Sequence, residues 1–352
     1  MQNSERIIMA HGAGGAVMGT LIERFVLPYL GGFQTEVGLE ALDDAAVVGE
    51  VVFKSDSHVV RPIFFPGGDI GRLAVAGTVN DLAVLGAEPV ALGCGFVLEE
   101  GLDFSDFELV LESMKTSCDE AGVFVVTGDT KVVEKGALGG LVVNMSGIGK
   151  RSKALAHNLA VVRKCWRNFD ARWVLDKNLR VGNKIILSGT IGDHGLAVLS
   201  AQEGLTFGSK IASDVKPLNH MIEQVLEVGG VVSMKDPTRG GLANALNEWS
   251  VKAKVGILVH EENIPIRNDV RIGCEMLGID PLEVGNEGKI ILGVEDEMTN
   301  DVLAVLKRTK EGKDAEIIGE VTDEFSLVAM KTVVGGRRIL PMPVGDPVPR
   351  IC

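Results

Sequence analysis

The stretch SDSHVVRPIFFPGGDIGRLAVAGTVNDLAVLGAEP, residues 55–89, decides the fold class of this chain. Its first part, residues 57–65, has the β-branched and aromatic content of a strand. Residues 69–87 then form a nearly all-apolar helix, and Pro89 provides the chemistry that stops it. A further strand is expected near residues 90–98. The stretch therefore predicts a strand–helix–strand unit around a nearly all-apolar helix.

The rest of the chain extends this unit and adds a second one. The first unit is also expected to contain strands near 45–53, 123–127 and 139–149 and helices near 17–30 and 105–121. The second unit starts near residue 183 and is expected to contain helices near 195–203 and 216–228, a helix opened by DPTRGG, and strands near 256–260, 289–294 and 326–331. Each unit mixes helices with strands of antiparallel character, which is typical of an α+β fold. The predicted domains are residues 1–150 and 151–340, and an extended, flexible proline-rich tail follows at 341–352.

The length and composition favour a two-domain small-molecule enzyme. The chain has 352 residues, which suggests two domains at roughly 150 residues each. The formal net charge is −13 and aromatic residues make up 5%. Binding to nucleic acid needs an excess of basic residues to neutralise phosphates and aromatic residues to stack on bases. The chain has neither, so a nucleic-acid-binding protein is excluded. The 44 glycines indicate many tight turns and backbone-lined sites.

The cysteine spacing and the hydropathy pattern bear on location. The five cysteines are far apart and form no C-x-x-C pair: Cys94, Cys118, Cys165, Cys274 and Cys352. That spacing does not suit a disulfide framework or a zinc site, and it fits a reducing cytosol. No run of 18 apolar residues occurs, and the N-terminus lacks a signal-peptide pattern. We therefore expect a cytoplasmic protein that does not interact with a membrane.

Residues 150–184 differ from the rest of the acidic chain because they carry ten basic residues against two aspartates. Within them, apolar residues recur three or four positions apart: Leu155, Leu159, Val162, Trp166, Phe169 and Trp173. This spacing predicts a basic amphipathic helical insertion near 155–175. Its apolar stripe is expected to pack on its own domain or to dock a partner, and we favour packing within the chain.

Four carboxylate sites stand at the ends of predicted strands and helices in the first unit: Asp43–Asp44, Asp56, Asp81 and Asp129. Asp81 lies on the nearly all-apolar helix, where a buried carboxylate is costly unless a cation or several donors compensate it. Each of the others alone is compatible with ordinary turn chemistry. Together the four sites suggest convergence on Mg²⁺, which prefers oxygen ligands, and on a polyphosphate. Lys131 would add a positive charge to the same cluster.

Several glycine-rich segments introduce helices. The motif G-x-x-x-x-G-K-[ST] is absent, but HGAGG (residues 11–15) opens a predicted helix with free backbone N–H groups suited to phosphate. A flexible lead-in loop is an equally good interpretation. Residues 192–195 and 236–241 are compatible with helix capping or with a site. Glu287, just before an apolar strand, is a weak candidate by itself.

Cys352 is the unusual feature of the C-terminus. It ends a tail with four of the twelve prolines and is not expected in a core. Either the cysteine has no role, or the tail is a spacer that carries a thiol at its tip. Extended at ~3.1 Å per residue, twelve residues would reach about 35 Å.

Several motifs follow one another along nearly the whole chain: HGAGG, ALDDAAVV, the stretch at 55–89, TGDTKVVEKG, GTIGDHG, MKDPTRGGLANALNE, GNEGK and the terminal PRIC. In this order they resemble the HypE family of hydrogenase maturation proteins. This family belongs to the superfamily of aminoimidazole ribonucleotide synthetase, selenophosphate synthetase and thiamine-monophosphate kinase. The resemblance implies a two-domain PurM-like fold and a homodimer whose N-terminal sheets pair into a barrel. It also implies an α/β sandwich as the C-terminal domain.

The resemblance also implies the site. ATP and Mg²⁺ would be held near the dimer interface. Asp44, Asp56, Asp81 and Asp129 match the metal ligands. Residues matching the nucleotide and phosphate contacts are His11, Gly12, Gly14, Gly15, Asp43, Thr130 and Lys131. Glu287 and Lys131 match the catalytic pair expected near the reacting group on Cys352, with roles in deprotonation and charge stabilisation.

The implied reaction makes cyanide. The carbamoyltransferase HypF would deliver a carbamoyl group to Cys352, and ATP would drive dehydration of this S-carboxamide to a thiocyanate. Cyanide would then pass to iron on the HypC–HypD complex for [NiFe]-hydrogenase. The chemistry is consistent, because an amide oxygen leaves poorly until phosphorylation turns it into phosphate.

Other functions remain open at this point. A selenophosphate synthetase would need a reactive cysteine or selenocysteine near its glycine-rich N-terminus, whereas the first cysteine here is Cys94. A thiamine-phosphate kinase would not need the terminal PRIC. A third possibility is a non-catalytic thiol carrier or scaffold that only presents a modified Cys352.

Overall fold

The computed structural model describes residues 6–205, 211–345 and 347–348. Fourteen strands lie in this part of the chain: β1 (Ala46–Val48), β2 (Val51–His58), β3 (Phe64–Phe65), β4 (Gly68–Asp69), β5 (Ala87–Glu99), β6 (Val125–Val133), β7 (Leu141–Arg151), β8 (Lys184–Leu187), β9 (Val231–Lys235), β10 (Gly256–His260), β11 (Ile291–Val294), β12 (Glu316–Thr322), β13 (Val328–Lys331) and β14 (Arg337–Ile339). They form two large sheets and one short hairpin.

Ten α-helices accompany these strands in the described part: α1 (Gly15–Leu21), α2 (Leu27–Leu30), α3 (Ile70–Val84), α4 (Phe104–Ala121), α5 (Lys153–Cys165), α6 (Asp193–Glu203), α7 (Asn219–Val228), α8 (Gly241–Ala253), α9 (Asn268–Leu277) and α10 (Thr299–Leu306). A π-helical turn at Ile22–Val26 joins α1 to α2. Short 3₁₀ turns lie at Met9–Gly12, Leu39–Ala41, Asp176–Asn178, Glu261–Asn263, Pro281–Glu283 and Asp296–Met298.

The first sheet has five strands in the order β1–β2–β7–β5–β6. Strands β5 and β6 are parallel, and the other neighbours are antiparallel. Helix α3 packs on β2, β5 and β7 and against α4. On other parts of this sheet, apolar side chains are exposed, including Phe53, Val126 and Val132. The α+β expectation is confirmed.

The second sheet has seven strands in the order β14–β13–β10–β12–β8–β11–β9. Within this second sheet, as far as the structure describes it, β10 and β13 form the only parallel pair, and all other neighbouring strands are antiparallel. Strand β8 carries Ile185, Ile186 and Leu187, all fully buried, and belongs to a large core that also contains Trp249. Helices from both units line this core, so the two sheets and their helices pack into one molecule.

Helix α3 is the central element, and its burial explains its composition. The Asp69 side chain caps its first turn by accepting hydrogen bonds from the N–H groups of Gly71 and Arg72. Asn80 donates to the carbonyl of Lys216 and accepts from the N–H of Leu218, which lie in the second unit. The helix is therefore covered by the sheet on one side and by the second unit on the other. Few polar side chains are tolerated on a helix buried all round.

The basic segment packs within the chain, as favoured, but its helix is shorter than predicted. Helix α5 ends at Cys165, whereas the predicted helix continued to about residue 175. The Arg163 side chain donates to the carbonyls of Phe169 and Ala171, so a folded loop replaces further helical turns. The stripe is buried apart from the half-buried Trp166, and Trp173 is fully buried.

The described residues of the tail, 341–345 and 347–348, form no helix or strand. Pro343 and Val348 are buried, Val344 is 72% exposed, and Val348 belongs to the core of the first unit. The carbonyl of Pro343 accepts a hydrogen bond from the N–H of Ala16. Burial of these apolar groups outweighs the freedom that a loose tail would keep. Cys352 lies outside the described residues. Across the described ranges, no helix has both the length and the apolarity needed to cross a membrane.

Candidate active site

A small acidic cavity lies between the two units, with a volume of about 80 Å³. Strand β2, helix α3, the loop after β9 and the loop before β11 all contribute to its wall. The lining residues are Asp44, Lys54, Asp56, Ser57, His58, Gly77, Asp81, Asp236, Thr238, Arg239 and Glu287. The structure thus brings together four carboxylates that the sequence singled out as candidates, Asp44, Asp56, Asp81 and Glu287, although the chain separates the first and last by more than 200 residues.

Three carboxylates in this cavity have the geometry of a metal site. Oxygens of Asp44, Asp81 and Asp236 lie within 4.8 Å of one another. Hard divalent cations such as Mg²⁺ take carboxylate oxygens as ligands, so this donor set fits Mg²⁺. Asp236 was missed as a ligand, because the DPTRGG motif is equally typical of a helix start. Sequence spacing could not reveal that Asp236 lies close to the carboxylates of Asp44 and Asp81.

Burial and mutual repulsion perturb these carboxylates. The pKa of Asp81 is raised to about 7, chiefly by burial, with Lys54 opposing the rise and Asp44 adding to it. The pKa of Asp236 is raised well above its usual range by burial and then by the charges of Asp81 and Asp44. Several buried carboxylates that resist ionisation together provide a strong site for a cation, since a bound cation would favour their charged forms.

Two lysines of the second unit hold the Asp43–Asp44 turn. The Nζ atom of Lys235 lies 2.7 Å from Asp44 Oδ1 and 3.2 Å from Asp176 Oδ2. Lys252 lies 2.6 Å from the same oxygen of Asp176. The N–H of Asp176 in turn donates to Asp43 Oδ1. The turn that carries two candidate ligands is therefore oriented by buried ion pairs from the other unit.

Glu287 is deeply buried on the opposite wall. Its N–H donates to Asp214 Oδ1 at 3.1 Å, and Asp214 is also paired with Lys289 at 3.0 Å. Burial, then the charge of Asp214, raises the pKa of Glu287 well above its usual range. A carboxylate whose pKa is raised holds an accepted proton more tightly than a free glutamate does, which is the property that a general base needs in its ionised form.

His58 and Gly77 lie beside Glu287. A Cβ atom at Gly77 would stand 3.1 Å from His58 Cε1 and 3.8 Å from Glu287 Oε2, so glycine keeps this part of the cavity open. Burial lowers the pKa of His58 to about 4, which leaves a neutral imidazole. Its Nε2 atom has no hydrogen-bond partner within the described part of the chain. A buried polar atom of this kind is a place where a ligand or water is expected to bind.

A larger cavity of about 380 Å³ adjoins the acidic one and shares Asp44 and Lys54 with it. It is lined by the start of α1, the turn at 38–46, part of β2 and Glu248. Its volume falls in the range of about 300–1,000 Å³ usual for small-molecule sites. Among the predicted nucleotide residues, Gly15 and Asp43 line this cavity.

The glycine loop at 11–15 packs against protein backbone. Gly14 has a φ of +77°, and a Cβ there would meet the Arg239 carbonyl at 3.0 Å. Gly15 has a φ of +68°, and its Cβ would lie 2.2 Å from the Pro343 carbonyl. Both glycines are therefore required by close packing. Neither cavity is lined by His11, Gly12 or Gly14, so phosphate binding by these residues stays a prediction.

The TGDTK segment is not brought to either cavity within the single chain. Asp129, Thr130 and Lys131 lie on the edge strand β6, and all three are exposed. The Lys131 Nζ atom lies 2.6 Å from Asp129 Oδ2. Their predicted roles in metal, phosphate and substrate binding thus depend on something beyond one protomer.

Comparisons with known proteins agree with this architecture. The N-terminal domain of the AIR synthase related proteins matches residues 42–150, and their C-terminal domain matches residues 180–331. A putative hydrogenase expression/formation protein of Methanocaldococcus jannaschii is 45% identical over 358 residues, covering 99% of this chain and 100% of that protein. Carbamoyl dehydratase HypE of Azotobacter vinelandii is 42% identical over 346 residues, covering 98% and 96%.

Solved structures show the same relationship. A chain in the crystal structure of the HypE-HypF complex has a TM-score of 0.83 and 42% identity, covering 92% of this chain and 100% of that one. A structure of hydrogenase maturation protein HypE in complex with ATP has a TM-score of 0.79 and 41% identity, covering 99% and 100%. The resemblance and the PurM-like two-domain fold inferred from the sequence are confirmed. With this identity over almost its whole length, the chain belongs to the HypE family of carbamoyl dehydratases, built from the two AIR synthase related domains.

Proposed function

We propose that this carbamoyl dehydratase uses ATP and Mg²⁺ to convert an S-carboxamide on Cys352 into a thiocyanate. The observation that carries the proposal is the carboxylate trio of Asp44, Asp81 and Asp236 beside the buried Glu287. A relative of 41% identity has been solved in complex with ATP. A non-catalytic thiol carrier would not need a costly cluster of buried carboxylates.

Each residue of the acidic cavity has a proposed role. Asp44, Asp81 and Asp236 would hold Mg²⁺, and Asp56, which lines the same cavity, would contribute a further oxygen. The bound ion would neutralise phosphate charge during phosphoryl transfer. The adjoining cavity, with Gly15 and Asp43 in its wall, would accept the nucleotide. No glycine-rich P-loop is needed, because the charge of the phosphates is met by a metal held on carboxylates.

The reaction removes one oxygen and two protons from the carboxamide. The oxygen takes up a phosphoryl group, the nitrogen loses its two protons, and phosphate leaves as the S–C≡N group forms. In its ionised form, Glu287, which lines the cavity, would accept a proton from the nitrogen. The Nε2 atom of His58 lies in the same cavity, 4.0 Å from Asp56 Oδ2 and without a hydrogen-bond partner among the described residues. Burial of the cavity would exclude water from the reacting group.

A homodimer would complete the site. The exposed apolar residues Val126 and Val132 lie on β6, which is an open edge of the first sheet. A second copy on this surface would cover these side chains and enclose Asp129 and Lys131, which a single chain leaves exposed. Exposed apolar patches of this kind mark association surfaces. We include Asp129 as a metal ligand and Thr130 and Lys131 as phosphate or substrate contacts in the dimer.

We propose HypF as the carbamoyl donor, because a relative has been solved in a HypE-HypF complex. The HypC–HypD complex is the proposed cyanide acceptor, on the basis of the reaction product. Intact-mass measurement after incubation with carbamoyl-loaded HypF and ATP tests the assignment of the thiol. We expect Cys352→Ala to bind ATP normally but to gain no carboxamide. Cys165→Ala, which changes a half-buried cysteine of the described part of the chain, is the control and is expected to behave as wild type. Carboxamide gain by Cys352→Ala would contradict the proposal.

A further inference from the structure

Lys54 occupies an unusual position between the two cavities. It lies on β2 two residues before Asp56, so the two side chains point to the same face of the strand. Its Nζ atom is 2.6 Å from Asp81 Oδ2, and its side chain is 20% exposed. Lys54 lines the acidic cavity and the larger cavity alike. Its position in the site could not be predicted from the sequence, because a lone lysine in a strand is usually a surface residue.

The carboxylate cluster holds this lysine in its charged form. Burial alone disfavours a charged ammonium, but the carboxylates of Asp81, Asp56 and Asp44 outweigh that effect and raise the pKa of Lys54. The ammonium therefore supplies positive charge at the cluster. This is the charge that a metal ion would supply if it bound there.

The other buried lysine of the cluster is held differently. Lys235 contacts Asp44, Asp176 and Glu248 within 3.2 Å. Of these, Asp176 is anchored by Trp249 Nε1 at 2.8 Å, outside the acidic cavity. Lys235 is thus fixed from the second unit whether or not a metal is bound. Lys54 has no such additional anchor, since among the described residues its one ion pair is with Asp81 of the trio. Lys235 also contacts the trio through Asp44, but Asp176 and Glu248 hold it as well, so metal binding would disturb Lys54 more.

A divalent ion and the Lys54 ammonium would repel each other in this arrangement. Mg²⁺ on Asp81 would lie about 2.0–2.1 Å from a carboxylate oxygen. The ammonium is 2.6 Å from an oxygen of the same carboxylate, so the two cations would be only a few ångströms apart and would repel each other. The partly exposed side chain of Lys54 borders the larger cavity, where an anionic group would attract it.

We propose that Lys54 is an exchangeable counter-cation, which neutralises Asp81 in the metal-free protein and moves to contact the nucleotide phosphates when a divalent ion binds. The inference rests on the proposed metal and nucleotide sites and adds a residue to them. It makes two separate claims. The ammonium competes with the metal before the nucleotide binds, and it aids nucleotide binding once the metal is in place.

Calorimetry with Mn²⁺ alone tests the first claim on the full-length, nucleotide-free protein. Lys54→Met keeps the apolar stem and removes the charge, so we expect Mn²⁺ affinity to rise about tenfold, whereas Lys54→Arg stays close to wild type. Lys150→Met, on the adjacent strand and paired with the exposed Glu88, is the control and should leave Mn²⁺ affinity unchanged. Melting curves confirm that each variant is folded. Unchanged or weaker Mn²⁺ binding by Lys54→Met would overturn the proposed competition between the Lys54 ammonium and the metal ion.

Titration with a non-hydrolysable ATP analogue in excess Mg²⁺ tests the second claim. Here Lys54→Met is expected to lower affinity about tenfold, the opposite sign from the Mn²⁺ experiment. Equal analogue affinity in Lys54→Met and wild type would overturn the phosphate contact. Asp81→Asn separates this inference from the proposed function. If wild type and Asp81→Asn bind Mn²⁺ equally, the metal site itself is wrong, and the role of Lys54 is overturned with it.

Discussion

The Nζ atom of Lys235 lies 2.7 Å from Oδ1 of Asp44, although 191 positions separate the two residues in the chain. Lys235 ends β9 of the second unit, and Asp44 precedes β1 of the first. Asp236, the next residue after Lys235, belongs to the same carboxylate trio as Asp44. The site is thus assembled from both units and depends on how they pack. Changes at this interface are expected to affect ligand binding before they affect the fold of either unit.

Asp81→Asn is expected to lower Mg²⁺-dependent ATP affinity at least about a hundredfold, roughly 3 kcal/mol. The amide keeps the shape of the side chain but removes one of three anionic ligands. Asp236→Asn is expected to have the same effect, since it removes another member of the trio. Calorimetry with and without Mg²⁺ measures both. Asp119→Asn, which removes an exposed carboxylate paired with Lys115, is the control. Near-native affinity in both cavity variants would exclude the trio as the metal site.

Negative charges introduced on the exposed strand β6 are expected to dissociate the proposed homodimer. Val126 and Val132 are 68% and 67% exposed in the single chain, so glutamate at both positions would place charge in an apolar interface. We expect the double variant to sediment as a monomer. If Asp129 acts across the dimer, this variant also loses ATP affinity, as does Asp129→Asn. Val251→Glu provides a control, because Val251 is equally exposed on α8. A double variant that remains dimeric would place the interface elsewhere.

Only part of the order of elements could be predicted from local patterns in the sequence. Strands β9 and β12 and helices α9 and α10 were missed, and the strand expected at 57–65 was wrong over 59–63, because β2 ends at His58. The apolar run at 69–87 has helical length and clear stop signals, and it is helix α3 at Ile70–Val84. The apolar stripe around Leu155 and Trp173 correctly indicated burial. Its periodicity did not reveal that the helix ends at Cys165, because side-chain bonds from Arg163 to later carbonyls replace helical ones. Apolar spacing predicts which residues are buried more reliably than where a helix stops.

The site was only partly predictable, for a different reason. Asp81 stood out because a carboxylate on an apolar helix needs a compensating cation. Asp236 and Lys54 carry no such local sign, and their roles arise from residues distant in the chain. Conversely, Asp129 resembled the other carboxylates in sequence but lies on an exposed edge strand. Local chemistry identifies candidate residues, and only tertiary packing decides which of them meet.

Asp43→Asn should alter the pH dependence of stability. Burial, and then the charge of Asp176, raises the pKa of Asp43 to about 7 from 3.8. The folded state holds the proton of Asp43 more tightly than the unfolded state does. The stabilisation of the folded state by this protonated carboxyl is therefore fully present below pH 3.8 and is lost as the pH rises through about 7. Asparagine cannot lose that proton. The variant should therefore gain stability relative to wild type on going from about pH 5 to about pH 8, by on the order of a few kcal/mol.

Melting temperatures in the absence of divalent ions measure this difference, and Glu99→Gln is the control. The pKa of Glu99 is lowered to about 2 by N–H donors from Gly136, Gly139 and Leu138. The contribution of ionised Glu99 to stability is lost only as the pH falls towards that value. The difference in melting temperature between Glu99→Gln and wild type should therefore be constant across the same pH range. A constant difference for Asp43→Asn as well would show that Asp43 is ionised throughout.

Glu287→Gln should separate carbamoylation from dehydration. Glutamine retains the size of the side chain and leaves the backbone bond to Asp214 in place, but it cannot accept a proton from the carboxamide nitrogen. The variant is therefore expected to bind ATP, to gain the carboxamide on Cys352, and then to stop. General-base catalysis contributes about 10²–10⁴-fold, so the dehydration rate should fall by that factor while carbamoylation is unchanged.

Intact-mass spectra recorded over time distinguish the outcomes, because carboxamide gain and subsequent loss of water are separate mass steps. Glu283→Gln is a suitable control, since Glu283 precedes the same loop but does not line the acidic cavity. If Glu287→Gln stops at the carboxamide while Glu283→Gln proceeds, the base lies at position 287. Loss of water from Glu287→Gln at the wild-type rate would remove Glu287 from the mechanism. His58 would then be the next candidate, because it is the neighbouring group in the cavity with an unpartnered proton acceptor among the described residues.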